Sequence, residues 1–280
     1  MEKENIAIVK SSGNSENFKV EKLKTSLRRS MASEEEIELI AAEIESMLYN
    51  GMSTKKIYRK AFSLLKKYNR ISASKYSLKR AILDLGPTGF PFERLIGALL
   101  NHKGFKTTVG ITLQGKCVMH EVDVLAQKDE NTYAIECKFH SDPKAVSNVK
   151  VPLYINSRFL DIKNHWNNNP EKASHLKQGW LVTNTRFSKD AIDYATCVGL
   201  HLLSWNYPKN NGIKHNVDEF ALYPITTLTT LTKREKDRII ENNIILTEEL
   251  FESKFILKKI GVSELRQKRI LNEIKNLCNL

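Results

Sequence analysis

The sequence predicts a mixed α/β protein in three stretches: a mostly helical N-terminal segment over residues 1–86, an α/β core over 87–225 and a helical tail over 226–280. Three observations carry this. The first stretch is rich in helix formers, with apolar residues recurring every three or four positions. The second alternates short β-branched and aromatic runs with helical periods, the pattern of a sheet covered on its faces. The third returns to helical periodicity alone.

The N-terminal stretch opens with a strand-like piece, Ile6-Ala7-Ile8-Val9-Lys10, and a turn at Ser11-Ser12-Gly13-Asn14. Helical periods follow at about 20–31, 33–49, 53–68 and 72–83. Ser33 and Glu36 form the spacing of a capping box, in which the serine accepts from the third helical amide and the glutamate reaches back. Ser53 and Ser72 stand where N-caps of the next two helices are expected. Leu85-Gly86-Pro87-Thr88-Gly89 then breaks the helix. In the core, a helix over 91–102 starts with Pro91, a residue suited to a first turn. Strands are predicted at 105–113, 118–126 and 132–139, the last two joined by the polar turn 127–131. A helix over 145–166, a strand at 179–184, a helix at 188–197 and a short strand at 200–204 complete it. The tail holds helical periods at 233–242, 247–252, 254–260 and 263–277.

Composition bounds the function. Hydrophobic residues make up 41% of the 280 and charged residues 27%, which excludes a disordered or fibrous chain. No apolar run approaches the ~20 residues that span a bilayer, so no membrane partner is expected. The opening MEKENIAIVK lacks the apolar core of a secretory signal. Cys117, Cys137, Cys197 and Cys278 are far apart, with no CxxC pair, which argues against structural zinc and against a disulfide framework. A reducing, cytoplasmic setting is expected. The net charge of +12 suits a polyanionic partner, and nucleic acid is the commonest one there.

The sharpest chemical signal lies in the core. Asp123 stands in His120-Glu121-Val122-Asp123-Val124, near the end of an apolar strand, and Ile135-Glu136-Cys137-Lys138 lies on the next. Side chains alternate across a strand, so Glu136 and Lys138 share one face and Cys137 takes the other. In a hairpin Asp123 meets Glu136 on that shared face. Two carboxylates beside a lysine suit Mg²⁺, which takes hard oxygen ligands and keeps positions for water and phosphate. Ile135 and Cys137 mark the strand as central, where a glutamate and a lysine need a reason to be.

Phe92-Glu93 on a helix, Gly104-Phe105 after it, the His120–Asp123 strand and Glu136-Cys137-Lys138 together resemble the PD-(D/E)xK nucleases, in particular the Mrr-like branch of restriction endonucleases. Gly179-Trp180-Leu181-Val182-Thr183, then Phe187-Ser188-Lys189-Asp190-Ala191 and Tyr194-Ala195, are similar to that branch's final strand–helix–strand. The resemblance covers about 90–205. It implies Asp123 and Glu136 as ligands of Mg²⁺ or Mn²⁺, Lys138 as the catalytic lysine and Glu93 as the helix carboxylate that completes the site. Val122 stands where the motif's name has proline. His140 and Gln114 are candidate phosphate contacts.

In the N-terminal stretch, a glycine turn beside lysines and a helix start can cradle phosphate, without a Walker or GxGxxG motif. Val9-Lys10-x-x-Gly13, Phe18, Lys22 and Ser26, then Met52-Ser53-Thr54, Ile57 and the 74–80 helix, resemble the ATP-cone, the nucleotide-sensing module of ribonucleotide reductases and their transcriptional repressor. The resemblance implies that Val9, Lys10, Glu16, Phe18, Lys22 and Thr54 line a pocket for ATP or dATP, acting as an allosteric ligand. Ser11 replaces the arginine usual after that lysine. Cones act through assembly, so a homo-oligomer is expected.

The tail, through Leu257-Lys258-Lys259-Ile260-Gly261-Val262-Ser263 and Arg269-Ile270-Leu271, resembles a divergent helix–hairpin–helix. That motif offers backbone amides to a DNA phosphate, and Lys258, Lys259, Arg266, Lys268 and Arg269 would add attraction. The other reading is an amphipathic cap packed on the sheet or on a second subunit. The expected function is a metal-dependent DNA endonuclease regulated by ATP or dATP. The alternative is a nucleotide-responsive DNA-binding regulator with an inactive nuclease fold; the full set of Glu93, Asp123, Glu136 and Lys138 favours the enzyme.

Overall fold

The structure, a computed structural model, describes residues 6–10 and 13–280; Ser11, the departure from the cone pattern, lies outside them. The chain divides into two compact units that do not follow the three stretches of sequence. One comprises the residues to Leu78 with Thr227–Thr232 and Gly261–Leu280; the other comprises Lys79–Thr226 and Lys233–Ile260.

The first unit begins with β1 (Ala7–Val9), which pairs antiparallel with β2 (Ser15–Asn17) and parallel with β3 (Met52–Ser53). Between these strands run α1 (Val20–Arg28) and α2 (Glu34–Ser46), and α3 (Thr54–Tyr68) and α4 (Arg70–Leu83) follow. The capping box of α2 forms as the sequence predicts, with the Glu36 amide donating to Ser33 Oγ at 3.2 Å and the Ser33 amide to Glu36 Oε2 at 2.9 Å. Ser53 likewise accepts from the Lys56 amide. Ser72 does not cap. Asn69 does, its Oδ1 accepting from the Ser72 amide at 3.1 Å, so α4 starts two residues earlier, and the Ser72 hydroxyl bonds the Met31 carbonyl instead. Leu27, Ile37, Ile40, Ile44 and Leu65 are wholly buried and form the core.

The second unit is built on a five-stranded sheet. In chain order come α5 (Phe90–His102), β4 (Lys106–Gln114), β5 (Met119–Lys128), β6 (Asn131–Lys138), β7 (Val146–Ser147), α6 (Lys150–Asn167), β8 (His175–Thr183), β9 (Arg186–Phe187), α7 (Lys189–Val198), β10 (His201–Leu203) and α8 (Ile213–Glu219). The sheet order is β10-β8-β6-β5-β4, antiparallel through β4–β5–β6 and parallel through β6–β8–β10. β6 is therefore central, as Ile135 and Cys137 imply. The predicted helix over 145–166 starts only at Lys150, because Val146–Ser147 pair with Arg186–Phe187 as a two-stranded ribbon. Phe159, Ile162 and Trp166 of α6 pack on Leu176 and Leu181 of β8. That approach requires Gly179, where a Cβ would lie 2.8 Å from the Phe159 ring. α5 packs on β4, Gly97 admitting Val109.

The tail forms α9 (Lys233–Glu241), α10 (Thr247–Glu252), α11 (Phe255–Lys259) and α12 (Glu264–Cys278). Within the first unit Glu273 of α12 is only 4% exposed. Its Oε1 accepts from the Ser74 hydroxyl and from the amide and hydroxyl of Thr229, and its Oε2 from the amide and hydroxyl of Thr230. Glu273→Ala strands the buried Ser74 hydroxyl and the half-buried Thr229 and Thr230 donors, and we expect a loss of about 3 kcal/mol, read from the urea midpoint of the full chain. Among the described residues no helix is long and apolar enough to cross a membrane.

Candidate active site

The β5–β6 ladder runs from Lys128↔Asn131 to Val124↔Ile135. One step further the same register sets Asp123 against Glu136. There the ladder ends and a side chain takes over: Asp123 Oδ2 accepts the Cys137 amide at 2.6 Å. Replacing a ladder bond with a carboxylate fixes Asp123 against the backbone between Glu136 and Lys138. On the other flank of β6, Glu136 pairs with Leu181 and Lys138 with Thr183, whose hydroxyl donates to the Lys138 carbonyl at 2.8 Å. Neighbouring strands thus hold both candidate positions of β6. Glu93 comes from the first turn of α5, one residue after the wholly buried Phe92.

The acids influence one another. Burial, then the charges of Asp123, Glu121 and Glu136, push Glu93 up to about 7. Burial and Asp123 raise Glu136 to about 7 against the pull of Arg158 and Lys138. Asp123 is also raised, by burial first, with the Cys137 amide and Arg158 opposing. Sequence reasoning missed Arg158. On α6 its Nη1 donates to Glu136 Oε2 at 2.8 Å and its Nη2 to the Glu121 carbonyl. A signal existed: Ile155, Arg158, Phe159 and Ile162 share one helical face, and an arginine on a core-facing stripe needs an anion.

Of the two candidate phosphate contacts, His140 lies beside the site. Its amide donates to Asn184 Oδ1, its Nε2 stands 3.0 Å from Ser147 Oγ, and burial with the nearby Lys138 charge lowers its pKa. Gln114 instead donates to the Gly115 carbonyl, at the end of β4 opposite Met119.

The donor set suits a hard divalent cation. Partly buried carboxylates that raise each other's pKa gain by sharing a positive charge. Among the described residues no three His, Cys, Asp or Glu side chains converge to encage an ion. Asp123 and Glu136 offer two carboxylates on adjoining strands, and Mg²⁺ is commonly held by one or two carboxylates with water and phosphate.

A second pocket, of about 210 Å³, opens in the first unit. It is lined by Glu16, Phe18, Lys22 and Thr54 of the predicted set, with Tyr58 and Tyr76 added. Those two rings stack 5.1 Å apart at 14°. Burial pushes the Tyr76 phenol up to about 12. Lys10 is exposed and reaches the pocket through Glu16, which it contacts at 2.7 Å while Lys22 contacts it at 3.0 Å. The hydrogen bonds from these lysines lower the Glu16 pKa. Val9 belongs to β1 and is not among the lining residues. An apolar, aromatic slot beside two lysines is suited to a purine and its phosphates.

Comparison with known proteins finds three matches along the chain. Residues 6–83 match the ATP cone domain, 87–206 the restriction endonuclease (Mrr catalytic) family, and 223–278 the C-terminal domain of AF1548-like proteins. An uncharacterized protein of Archaeoglobus fulgidus is 34% identical over 180 residues, 64% of this chain and 97% of the relative. The crystal structure of AF1548, a protein of unknown function, is similar at 32% identity and a TM-score of 0.56, covering 69% of this chain and 99% of that one.

Proposed function

From the premise that this chain belongs to the AF1548-like family, with an ATP cone preceding a restriction-endonuclease domain, we propose that it is a metal-dependent DNA endonuclease controlled by ATP or dATP. The observation that carries the reading is the convergence of Asp123, Glu136 and Lys138 on adjoining strand positions, with Glu93 raised by burial first and then by the charges of Asp123, Glu121 and Glu136. Asp123 and Glu136 would hold Mg²⁺ or Mn²⁺. When bound, the ion supplies Lewis-acid chemistry, drawing charge from a phosphodiester oxygen and acidifying water. Lys138, whose charge reaches Glu136, orients that water and offsets charge on the phosphate. Glu93, near 7, holds or releases a proton at its carboxylate at neutral pH. Arg158 keeps Glu136 oriented and partly neutralised.

The cone is a regulator and no motor. Nucleotide changes activity only by binding two conformations or assemblies unequally, and the protein acts as a cytoplasmic homo-oligomer on this reading. Cleavage of supercoiled plasmid with Mg²⁺ or Mn²⁺, with and without ATP and dATP, tests it. Nicking that requires metal and responds to nucleotide supports the proposal. DNA binding with no cleavage of modified or unmodified DNA would favour the non-catalytic regulator. For the cone, Lys10→Ala with Lys22→Ala releases two cations and should weaken ATP binding at least about tenfold by calorimetry. Unchanged affinity would remove these lysines as the phosphate clamp.

A further inference from the structure

A second basic feature lies within the first unit, apart from the nucleotide pocket. At the corner between α3 and α4 stand Lys66 and Arg70, and α12 brings Arg266 and Arg269 against them. Two open depressions, of about 200 and 350 Å³, share Arg70, Thr230 and Arg269 and so form one groove. Along α12 the positions 266, 269, 272 and 276 recur at helical spacing on one face, a line of ~15 Å. Asn272 and Asn276 extend the two arginines there with neutral donors.

The one acid in this groove offsets only part of its positive charge. Glu273 is the one lining carboxylate, and both of its oxygens are occupied by Ser74, Thr229 and Thr230. Among the described residues no ion pair involves Lys66, Arg70 or Arg269. Arg266 donates to the Thr230 carbonyl, which anchors the loop under the groove. Lys66, Arg70 and Arg269, gathered from separate parts of the chain, outnumber the one lining carboxylate and attract a polyanion.

The lining also says which polyanion. It has no aromatic side chain, unlike the nucleotide pocket with Phe18, Tyr58 and Tyr76, so it offers no platform for a base. Arginine forks with amide donors along an open groove match phosphodiester oxygens in series, contacts that position a nucleic acid without reading its sequence. We propose that this groove docks the sugar–phosphate backbone of DNA, through residues of both the N-terminal helices and the C-terminal helix. The proposal rests on the reading that DNA is this protein's substrate.

The test uses the full chain and a fluorescently labelled duplex without divalent ion, titrated by anisotropy over a range of salt. Arg70→Gln with Arg269→Gln should weaken binding about tenfold or more and flatten the slope of log K against log salt by about 2, whatever the duplex sequence. Both side chains are exposed, so the melting temperature should hold. Lys55→Gln with Arg59→Gln removes the same charge from exposed positions outside the groove and serves as control. Equal losses in the two pairs would overturn the proposal. So would calorimetry in which inorganic tripolyphosphate, and not DNA, distinguishes wild type from the groove variant. Asp123→Asn, assayed for cleavage in parallel, separates the readings: its failure to lose activity would remove the active site proposed above while leaving the groove result intact.

Discussion

Asp123→Asn is expected to lower metal-dependent plasmid cleavage at least about a hundredfold, with DNA binding and melting temperature near those of the wild type. The amide keeps an oxygen to accept the Cys137 N–H, so the end of the β5–β6 ladder survives. What it loses is the negative charge that helps raise Glu136 and that, in the proposed function, would hold the ion. Lys138→Ala should produce a loss of similar order by a different route, since the exposed ammonium leaves without disturbing the strand and only charge compensation disappears. Combining the two should cost little more than either alone, because groups acting on one step are not additive. Full activity in either single variant would remove the site.

Without divalent ion, thermal stability is expected to fall as pH rises from about 5 to about 8. Glu93 and Glu136 keep their protons up to about 7 in the folded chain, against 4.5 when unperturbed. Between those values the folded state binds more protons than the unfolded one, so each step up in pH favours unfolding, and the trend flattens above about 7. In the proposed function Mg²⁺ would bind the deprotonated acids, so its stabilisation should grow through the same window. Scanning fluorimetry should show a shift of a few degrees, since ~1 kcal/mol moves a domain of this size by ~2–4 °C. Glu136→Gln should remove much of both the pH slope and the response to Mg²⁺. A variant that keeps the wild-type slope would show that Glu136 is not the titrating acid.

What could be read along the chain was local. Strand alternation placed Glu136 and Lys138 on one face of β6 and singled out Asp123 on the strand before it. The Ser33–Glu36 capping box and Pro91 in the first turn of α5 are equally short-range. The misses have the opposite character. Asn69 displaced Ser72 as cap because Ser72 had a partner 41 residues away, the Met31 carbonyl. Val146–Ser147 left the predicted helix because a strand 40 residues later was available to pair. The short strands β2 and β3 exist only through their pairing with β1.

The sequence by itself singled out the acid–lysine set, four residues that line the pocket of the first unit (Glu16, Phe18, Lys22 and Thr54), and the alternation of helix and strand. The strand alternation around Glu136 and Lys138 is written in spacings within one hairpin, and the wider sets come from short motifs taken together along the chain. The tertiary structure alone decided that Arg158 would answer Glu136, that burial and shared charge would carry Glu93 and Glu136 to about 7, and that Glu273 would anchor α12 within the first unit. It also divided the tail, assigning residues 233–260 to one compact unit and 261–280 to the other. These depend on which distant segments meet, and a local pattern of apolar and charged residues specifies a face to bury without naming the partner that buries it.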